Sequence, residues 1–456
     1  MGILDKTNYY LIKKNNSYFV KNFLNGKIFE LPYEGVELFK YAINFDDFKV
    51  IAKEYNLKFN DRISEDMIKS FLNNLNKKEI IKNEEKNQVY HIQWHLTNKC
   101  NLRCIHCYQE DYKEDLYEPL RFKKEIVDLY FEFIRNNNFI PEISLTGGEP
   151  ILYPYLLDLL DYINEKYKNC RVFILTNGTI LNDRLINSLK KYNITGIQIS
   201  IDGPDSQTHD KIRGKGNFNK AINTIKNLKD NNFYTSIHCV IQKSNYLSIE
   251  EYVKLASNLE IDRLTFSRYI PFGNGSNNNL ELLSADEISK IYKKIMDLKK
   301  IYPRANINLD RDLWMIYDDK YGSTCPVGEN TLTILNDGTV LPCRRMPIRL
   351  GNLYEENFEE IIFKSKILDK MRINTISECN DCKLIDKCLG GCQGLAFSIY
   401  GKIMEYADPQ CWIANSSGKR IIDNLSKKKF DIKYNCENGY FVYPEEITNY
   451  ENLLEH

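Results

Sequence analysis

Ten of the chain's thirteen cysteines fall into two groups, and this placement constrains the fold more than any other feature of the sequence. The first group is Cys100, Cys104 and Cys107, spaced C-x3-C-x2-C within TNKCNLRCIHCYQE. The second runs from Cys325 through Cys343, Cys379, Cys382, Cys388 and Cys392 to Cys411. The total is odd and nothing at the N-terminus has the charged-then-apolar layout of a secretory signal, so a disulfide framework is not the expected use; metal or redox chemistry is. Three thiolates at the first spacing can hold three corners of a [4Fe–4S] cube and leave the fourth iron open to a ligand. A zinc site would want a fourth local ligand, for which His106 is the candidate; its place between two ligands favours packing beside the group.

The sequence around these groups alternates strand and helix. From Tyr90 onward, strands are expected at His91–Thr97, Glu142–Thr146, Arg171–Thr176, Gly196–Ile201, Thr235–Ile241 and Arg263–Tyr269. Helical patterns at Tyr155–Tyr167, Asp183–Lys191, Phe218–Asn231 and Ile249–Leu259 separate them. Repeated strand–helix units predict a parallel sheet with right-handed crossovers. Six units rather than eight predict an open, partial (β/α)6 TIM-like barrel, with its site at the C-terminal ends of the strands.

The flanking regions differ in pattern. Residues 1–88 read as a separate winged-helix-like α+β domain, with strands at Tyr9–Lys13 and Ser17–Leu24 and helices at Leu31–Ile43, Phe45–Tyr55 and Ser64–Leu75, the last capped by Ser64. Asn76–Gln88 reads as a linker. Residues 89–310 form the barrel, and residues 311–456 a cysteine-rich domain with a tail, Ile413–His456, expected to be a helix followed by irregular structure. Lys plus Arg and Asp plus Glu both number 62, so no basic surplus points to nucleic acid. No apolar run is long enough to span a bilayer, and the expected location is the cytoplasm.

The motifs that follow the first cysteine group complete a pattern. Thr146-Gly147-Gly148-Glu149-Pro150 ends the second strand, Thr176-Asn177-Gly178 the third, and Ser200 and Asp202, in ISIDG, the fourth; Arg213 follows in KIRGKGNF, and Tyr269–Gly273 follows the sixth strand. Together with C-x3-C-x2-C, these resemble the radical S-adenosylmethionine (SAM) superfamily over roughly Tyr90–Asn274. The resemblance implies that a cluster on Cys100, Cys104 and Cys107 cleaves SAM to a 5′-deoxyadenosyl radical, which abstracts hydrogen from unactivated carbon. It implies SAM contacts from Gly147, Gly148, Glu149, Asn177, Ser200 and Asp202, and an Arg213 fork on the SAM carboxylate.

The second cysteine group, with Gly338 four residues clear of Cys343, resembles the SPASM domain of peptide-modifying radical SAM enzymes. That resemblance implies a distal auxiliary cluster on Cys379, Cys382, Cys388 and Cys411 and a proximal one on Cys325, Cys343 and Cys392, hence three [4Fe–4S] clusters and SAM as cofactors. Thr331 stands where some members supply a fourth proximal ligand, and Arg344 where sulfatase-maturing members carry an Asp base. Cys170, Cys239 and Cys436 fall outside both groups and read as structural thiols. The N-terminal module resembles the leader-recognition domains of ribosomal-peptide maturases. The expected partners are a precursor peptide, its leader on that module, and a flavodoxin- or ferredoxin-type electron donor. The expected activity is crosslinking of the peptide, a Cys sulfur-to-carbon thioether first. Formylglycine formation and epimerisation are alternatives within the class; a cysteine-rich zinc or redox-sensing protein and a DNA-binding redox regulator stand outside it. No catalytic residue beyond the cofactor ligands is assigned.

Overall fold

The computed structural model describes residues 3–4, 9–14, 17–22, 28–60, 62–78, 88–109, 120–278, 280–309, 312–318, 320–322, 325–363, 365–372, 376–380, 382–384, 388–416, 433–435, 440–442 and 451–452.

The N-terminal unit has its own apolar core, built from Leu11, Val20, Val36, Phe39, Ile51 and Ile68 among others. Its strands are β1 (Tyr9–Lys14), β2 (Ser17–Asn22) and β3 (Ile28–Leu31), and its helices α1 (Tyr33–Asn44), α2 (Phe48–Phe59) and α3 (Glu65–Lys77). Ser64 caps α3 as expected, its hydroxyl accepting from the Met67 amide at 3.3 Å. Two expected boundaries move. The helix expected from Leu31 begins at Tyr33, because Ile28–Leu31 pairs with β2 and Pro32 holds an extended φ/ψ of −63° and 158° between them. The second helix starts after Asp47, whose side chain accepts from the Lys49 amide, and runs to Asn60 in the left-handed conformation.

The barrel follows the strand–helix alternation. Its strands are β4 (Val89–His95), β5 (Ile140–Thr146), β6 (Arg171–Thr176), β7 (Ile194–Ser200), β8 (Thr235–Ile241) and β9 (Arg263–Arg268). The intervening helices are α4 (Leu120–Asn136), α5 (Leu156–Lys166), α6 (Asp183–Leu189), α7 (Ser206–Arg213), α8 (Asn217–Asp230) and α9 (Ile249–Asn258), and α10 (Gly273–Asn277) and α11 (Ala285–Ile301) follow β9. The six strands pair in parallel, in chain order, and β9 forms the far edge, so the sheet is open. Alternation along β4 buries Tyr90, Ile92 and Trp94, with Tyr90 packed on Phe133 and Phe139 from the helix side. It turns His91, Gln93 and His95 to the inner face.

The sheet does not stop where the cysteine-rich region begins. Strand β10 (Thr331–Ile334) pairs in parallel with β4, and β11 (Thr339–Leu341) and β12 (Gly351–Asn352) extend it antiparallel. Within the tail, β13 (Lys433–Asn435) and β14 (Tyr440–Val442) form a hairpin, and β15 (Glu451–Asn452) pairs with β1. The described tail is thus a short helix, Trp412–Ser416, followed by strands rather than irregular chain. Cys436 lies outside the described residues.

Helices α12 (Phe358–Phe363), α13 (Lys366–Arg372) and α14 (Gln393–Tyr400) lie in the cysteine-rich half. Asp369 on α13 forms an ion pair with Lys21 on β2, and both side chains are buried. This pair fastens the N-terminal sheet to the C-terminal half. Asp369→Ala leaves a buried ammonium without its carboxylate and is expected to cost about 3–5 kcal/mol. A Lys21→Met, Asp369→Leu double variant should recover most of that loss. Urea unfolding midpoints of the full chain measure both.

Candidate functional site

The C-x3-C-x2-C loop leaves the C-terminal end of β4 and is gripped from two sides. On one side lies the GGEP turn. The Gly148 amide donates to Thr97 O at 2.8 Å and the Glu149 amide to Lys99 O at 2.7 Å. A Cβ on Gly147 would fall 2.5 Å from Thr97 O, and one on Gly148 2.2 Å from Lys99 O. These glycines therefore admit the backbone of the cysteine loop itself. On the other side α10 packs on Cys107–Gln109: the Gly275 amide donates to Cys107 O, and Gly273, at φ 54°, has no room for a Cβ beside Tyr108 O.

Glu149 is buried, and its carboxylate accepts from Thr176 Oγ1 at 2.6 Å, the Asn177 amide at 2.8 Å and the Ile151 amide at 3.2 Å. Burial pushes this carboxyl up to about 7 against those bonds, which pull it down. Asn177 turns its side-chain amide to Asn101 Oδ1, inside the cysteine loop, at 2.9 Å. Asp202 is fully buried and accepts from Arg213 Nε at 2.5 Å and the Val240 amide at 2.8 Å, with His106 Nε2 at 3.3 Å. Although burial disfavours its charge, Arg213 and then His106 hold the Asp202 carboxyl at about 2. Arg213 also places Nη1 3.8 Å from Cys104 Sγ. His106 is buried on Asp202, beside the cysteines, and burial lowers its imidazole to about 4. Ser200 ends β7, half-buried.

The thiols fit an iron–sulfur cluster by their donors. Cys100 and Cys104 are pushed up to about 11 and 12, burial first, and each of the two lies close enough to Cys107 for its charge to add to the rise. Backbone amides point at the sulfurs: Leu102 N at Cys100 Sγ and Gln109 N at Cys107 Sγ, both 3.4 Å. Such donors, with Arg213 beside Cys104, stabilise thiolates once iron supplies the compensating charge. Among the described residues no three His, Cys, Asp or Glu side chains gather round a single-ion site. A cube binds through separate irons, so its thiolates need not meet at a point.

In the C-terminal half Cys379, Cys382, Cys388 and Cys411 come together, each close enough to another of the four for their charges to interact; burial pushes Cys379 to about 11 and Cys388 to about 12. The Arg345 amide donates to Cys343 Sγ at 3.3 Å, and Gly394, two residues after Cys392, packs on Arg345, so these two cysteine loops adjoin. Cys325 is exposed ahead of β10. Thr331 gives its hydroxyl to hydrogen bonding with His91 Nδ1 at 2.9 Å. Cys170 and Cys239 are buried, Cys239 beside Asn245 Nδ2, as befits structural thiols.

Sequence reasoning missed Asp408. It is fully buried, takes a two-pronged bond from Arg268 at 2.9 and 2.6 Å, and accepts from the Cys392 amide at 2.9 Å, while its own carbonyl accepts from the Cys411 amide. Its only signal was an acidic residue three places before Cys411.

With this geometry in place, the chain matches the radical SAM superfamily over residues 94–256 and the SPASM iron–sulfur cluster-binding domain over residues 325–383. It carries a radical SAM domain and a SPASM domain. It is 29% identical to the antilisterial bacteriocin subtilosin biosynthesis protein AlbA of Bacillus subtilis (strain 168) over 317 residues, 66% of each chain. It is 26% identical to the AdoMet-dependent heme synthase of Nitratidesulfovibrio vulgaris over 70% of this chain and 91% of that one. Its fold is similar to that of Streptococcus suis SuiB, solved bound to precursor peptide SuiA, with a TM-score of 0.59 at 16% identity, covering 90% of this chain and 99% of that one. Among the described residues no helix is long and apolar enough to cross a membrane.

Gly148→Ala pushes a methyl group into Lys99 O. It is expected to abolish SAM cleavage and lose about a third of the iron, one cluster of three, whereas Gly35→Ala, whose Cβ meets nothing nearer than 3.4 Å, keeps both. Iron assay and 5′-deoxyadenosine chromatography read the outcome. Asp202, held at about 2 in the folded chain against 3.8 for a free carboxyl, stabilises the fold above that range. That contribution, about 2 kcal/mol, is lost as pH falls from about 4 towards 2. Acid unfolding followed by circular dichroism should show a shallower loss in Asp202→Asn over that window.

Proposed function

We propose that the chain is a peptide maturase that crosslinks a ribosomally made precursor, forming a Cys sulfur-to-carbon thioether. The observation that carries this reading is the N-terminal sheet, ordered β15-β1-β2-β3, docked on the SPASM half through Lys21 and Asp369. β3 is its outer strand among the described residues, and an extended leader can add to such an edge by main-chain hydrogen bonds. The peptide-linked relatives support it: AlbA's name ties it to bacteriocin biosynthesis, and SuiB was solved with its precursor peptide. The heme synthase relative, matched over 70% of this chain, means that such likeness does not choose a substrate by itself.

In this reading Cys100, Cys104 and Cys107 hold the cluster that binds SAM, with contacts from Gly147, Gly148, Glu149, Asn177, Ser200, Asp202 and Arg213. The bound cluster and SAM supply hydrogen-atom abstraction from carbon. Cys379, Cys382, Cys388 and Cys411 hold the distal auxiliary cluster, and Cys325, Cys343 and Cys392 the proximal one. The protein's part is to orient: Asp202 holds His106 and fixes Arg213 beside Cys104, and Glu149 ties the GGEP turn to Asn177. Arg344 in place of an acidic base weighs against formylglycine formation. Among the described residues the thiols outside the two groups, Cys170 and Cys239, are buried, which weighs against epimerisation, a reaction that needs an accessible thiol to return hydrogen.

The test is anaerobic. Reconstituted enzyme, SAM, dithionite and the short peptide encoded beside the gene are combined, and the peptide is read by tandem mass spectrometry. Loss of two hydrogens with a fragmentation block at one Cys is expected; an unchanged mass with deuterium gained from solvent would replace crosslinking by epimerisation. Ala at Cys100, Cys104 and Cys107 together should abolish 5′-deoxyadenosine formation and leave about two thirds of the iron.

A further inference from the structure

The fork between Arg268 and Asp408 joins the end of β9 to the cysteine loops of the C-terminal half, at 2.9 and 2.6 Å and with both side chains buried. One Asp408 oxygen also takes the Cys392 amide at 2.9 Å, and the Asp408 carbonyl takes the Cys411 amide at 3.0 Å. The other carboxylate oxygen takes the Gln410 amide at 2.9 Å. Gln410, buried as well, accepts from Arg268 Nη1 at 3.2 Å and donates to the Leu283 carbonyl at 2.8 Å. Residues 408–411 are therefore anchored to the barrel at two side chains just ahead of Cys411.

Holding these amides needs an acceptor, not a charge. A neutral side-chain oxygen would serve the Cys392 amide, and the Cys411 amide already bonds to backbone. A buried carboxylate is costly, and only a well-placed partner such as Arg268 makes it tolerable. The charge also stands among groups that it repels, for it reaches the thiols of Cys379, Cys388 and Cys411. Those three belong to the distal set and Cys392 to the proximal one, so a single side chain stands against ligands of both. The potential of an iron–sulfur cluster follows the charge around it and the hydrogen bonds to its sulfurs. A fixed negative charge in a surrounding of low dielectric opposes the further negative charge of a reduced cluster.

We propose that Asp408 is a positioning residue for both auxiliary clusters, and that its charge, balanced in part by Arg268, lowers the potential at which they take up an electron. This rests on the reading in which Cys379, Cys382, Cys388 and Cys411 hold one cluster and Cys325, Cys343 and Cys392 the other. Because Arg268 ends β9, the setting belongs to the barrel as well as to the cysteine-rich half.

The test uses the full-length chain with Ala at Cys100, Cys104 and Cys107, reconstituted anaerobically, so that only auxiliary clusters contribute to the spectrum. Iron is assayed, and a dithionite titration followed by electron paramagnetic resonance reads the reduced fraction against potential. Asp408→Asn removes the charge and keeps an acceptor. It should raise the auxiliary midpoints, with reduction about tenfold more favourable at a fixed potential, or about 59 mV for one electron. Arg268→Gln leaves the carboxylate less balanced and should lower them. Opposite shifts mark an effect of charge, because loosened loops alone would move both variants the same way. Asp262→Asn, which breaks an ion pair with Lys229 at 3.0 Å ahead of β9, should leave the midpoints in place. If Asp408→Asn loads no auxiliary iron, Arg268→Gln decides: a lowered midpoint supports the proposal, and an unmoved or raised one overturns it. Unmoved midpoints in Asp408→Asn, shifts of one sign in both variants, an equal shift in Asp262→Asn, or loss of the auxiliary clusters from both variants also overturn it. A starting chain that holds no iron takes the ligand reading down together with the proposal, whereas about two thirds of the iron retained with unmoved midpoints overturns the proposal alone.

Discussion

A carboxylate with no access to solvent, Asp408, organises the cysteine-rich half, and the Arg268 fork is what makes its burial tolerable. Two parallel charge-assisted bonds satisfy both oxygens from one side. The same oxygens also take the amides of Cys392 and Gln410. The Asp408 amide donates to the Gly390 carbonyl, and Gly391, at φ 78°, sits where a Cβ would strike the Asp408 side chain. The backbone around one ligand of each expected auxiliary cluster, Cys392 and Cys411, is therefore set by a residue that is not a ligand. Because Arg268 ends β9, that arrangement is tied to the barrel as well.

The first cysteine group follows a comparable logic with different parts. Its loop is held by backbone contacts that need glycine, at Gly147 and Gly148 on one side and Gly273 on the other. Its charge is managed by Asp202, which holds His106 and pins Arg213 against Cys104. Two buried acids, Asp202 and Asp408, thus do similar work at the two ends of the site. Each fixes an arginine, and each is neighbour to cysteines rather than a substitute for them.

Much of this was legible in the sequence. The cysteine spacings named the chemistry, and the strand–helix alternation located β6 and β8 to the residue, because local pattern and long-range pairing agree there. The N-cap at Ser64 was readable for the same reason. What was not legible depends on partners distant in the chain. β3 is four residues whose identity as a strand comes from β2, and β10 is four residues set by pairing with β4 on one side and β11 on the other. Asp408 looks like any turn acid until Arg268 is beside it. His95 looks like a strand residue until burial leaves Nε2 without a bond. Glu149 and Arg213, expected to face SAM, also carry protein contacts that motif matching does not reveal.

The β4–β10 ladder has a further consequence. The first cysteine group hangs from the end of β4, and Cys325 and Cys343 flank β10 and β11 in the same sheet. Four register pairs, from Thr331 opposite His91 to Ile334 opposite Trp94, join these strands. The gap between the two sets of thiols is therefore spanned by a hydrogen-bonded lattice rather than by a hinge. The spacing of the strands that carry them does not change with domain breathing; it opens only with the core strands themselves, at close to the free energy of global unfolding.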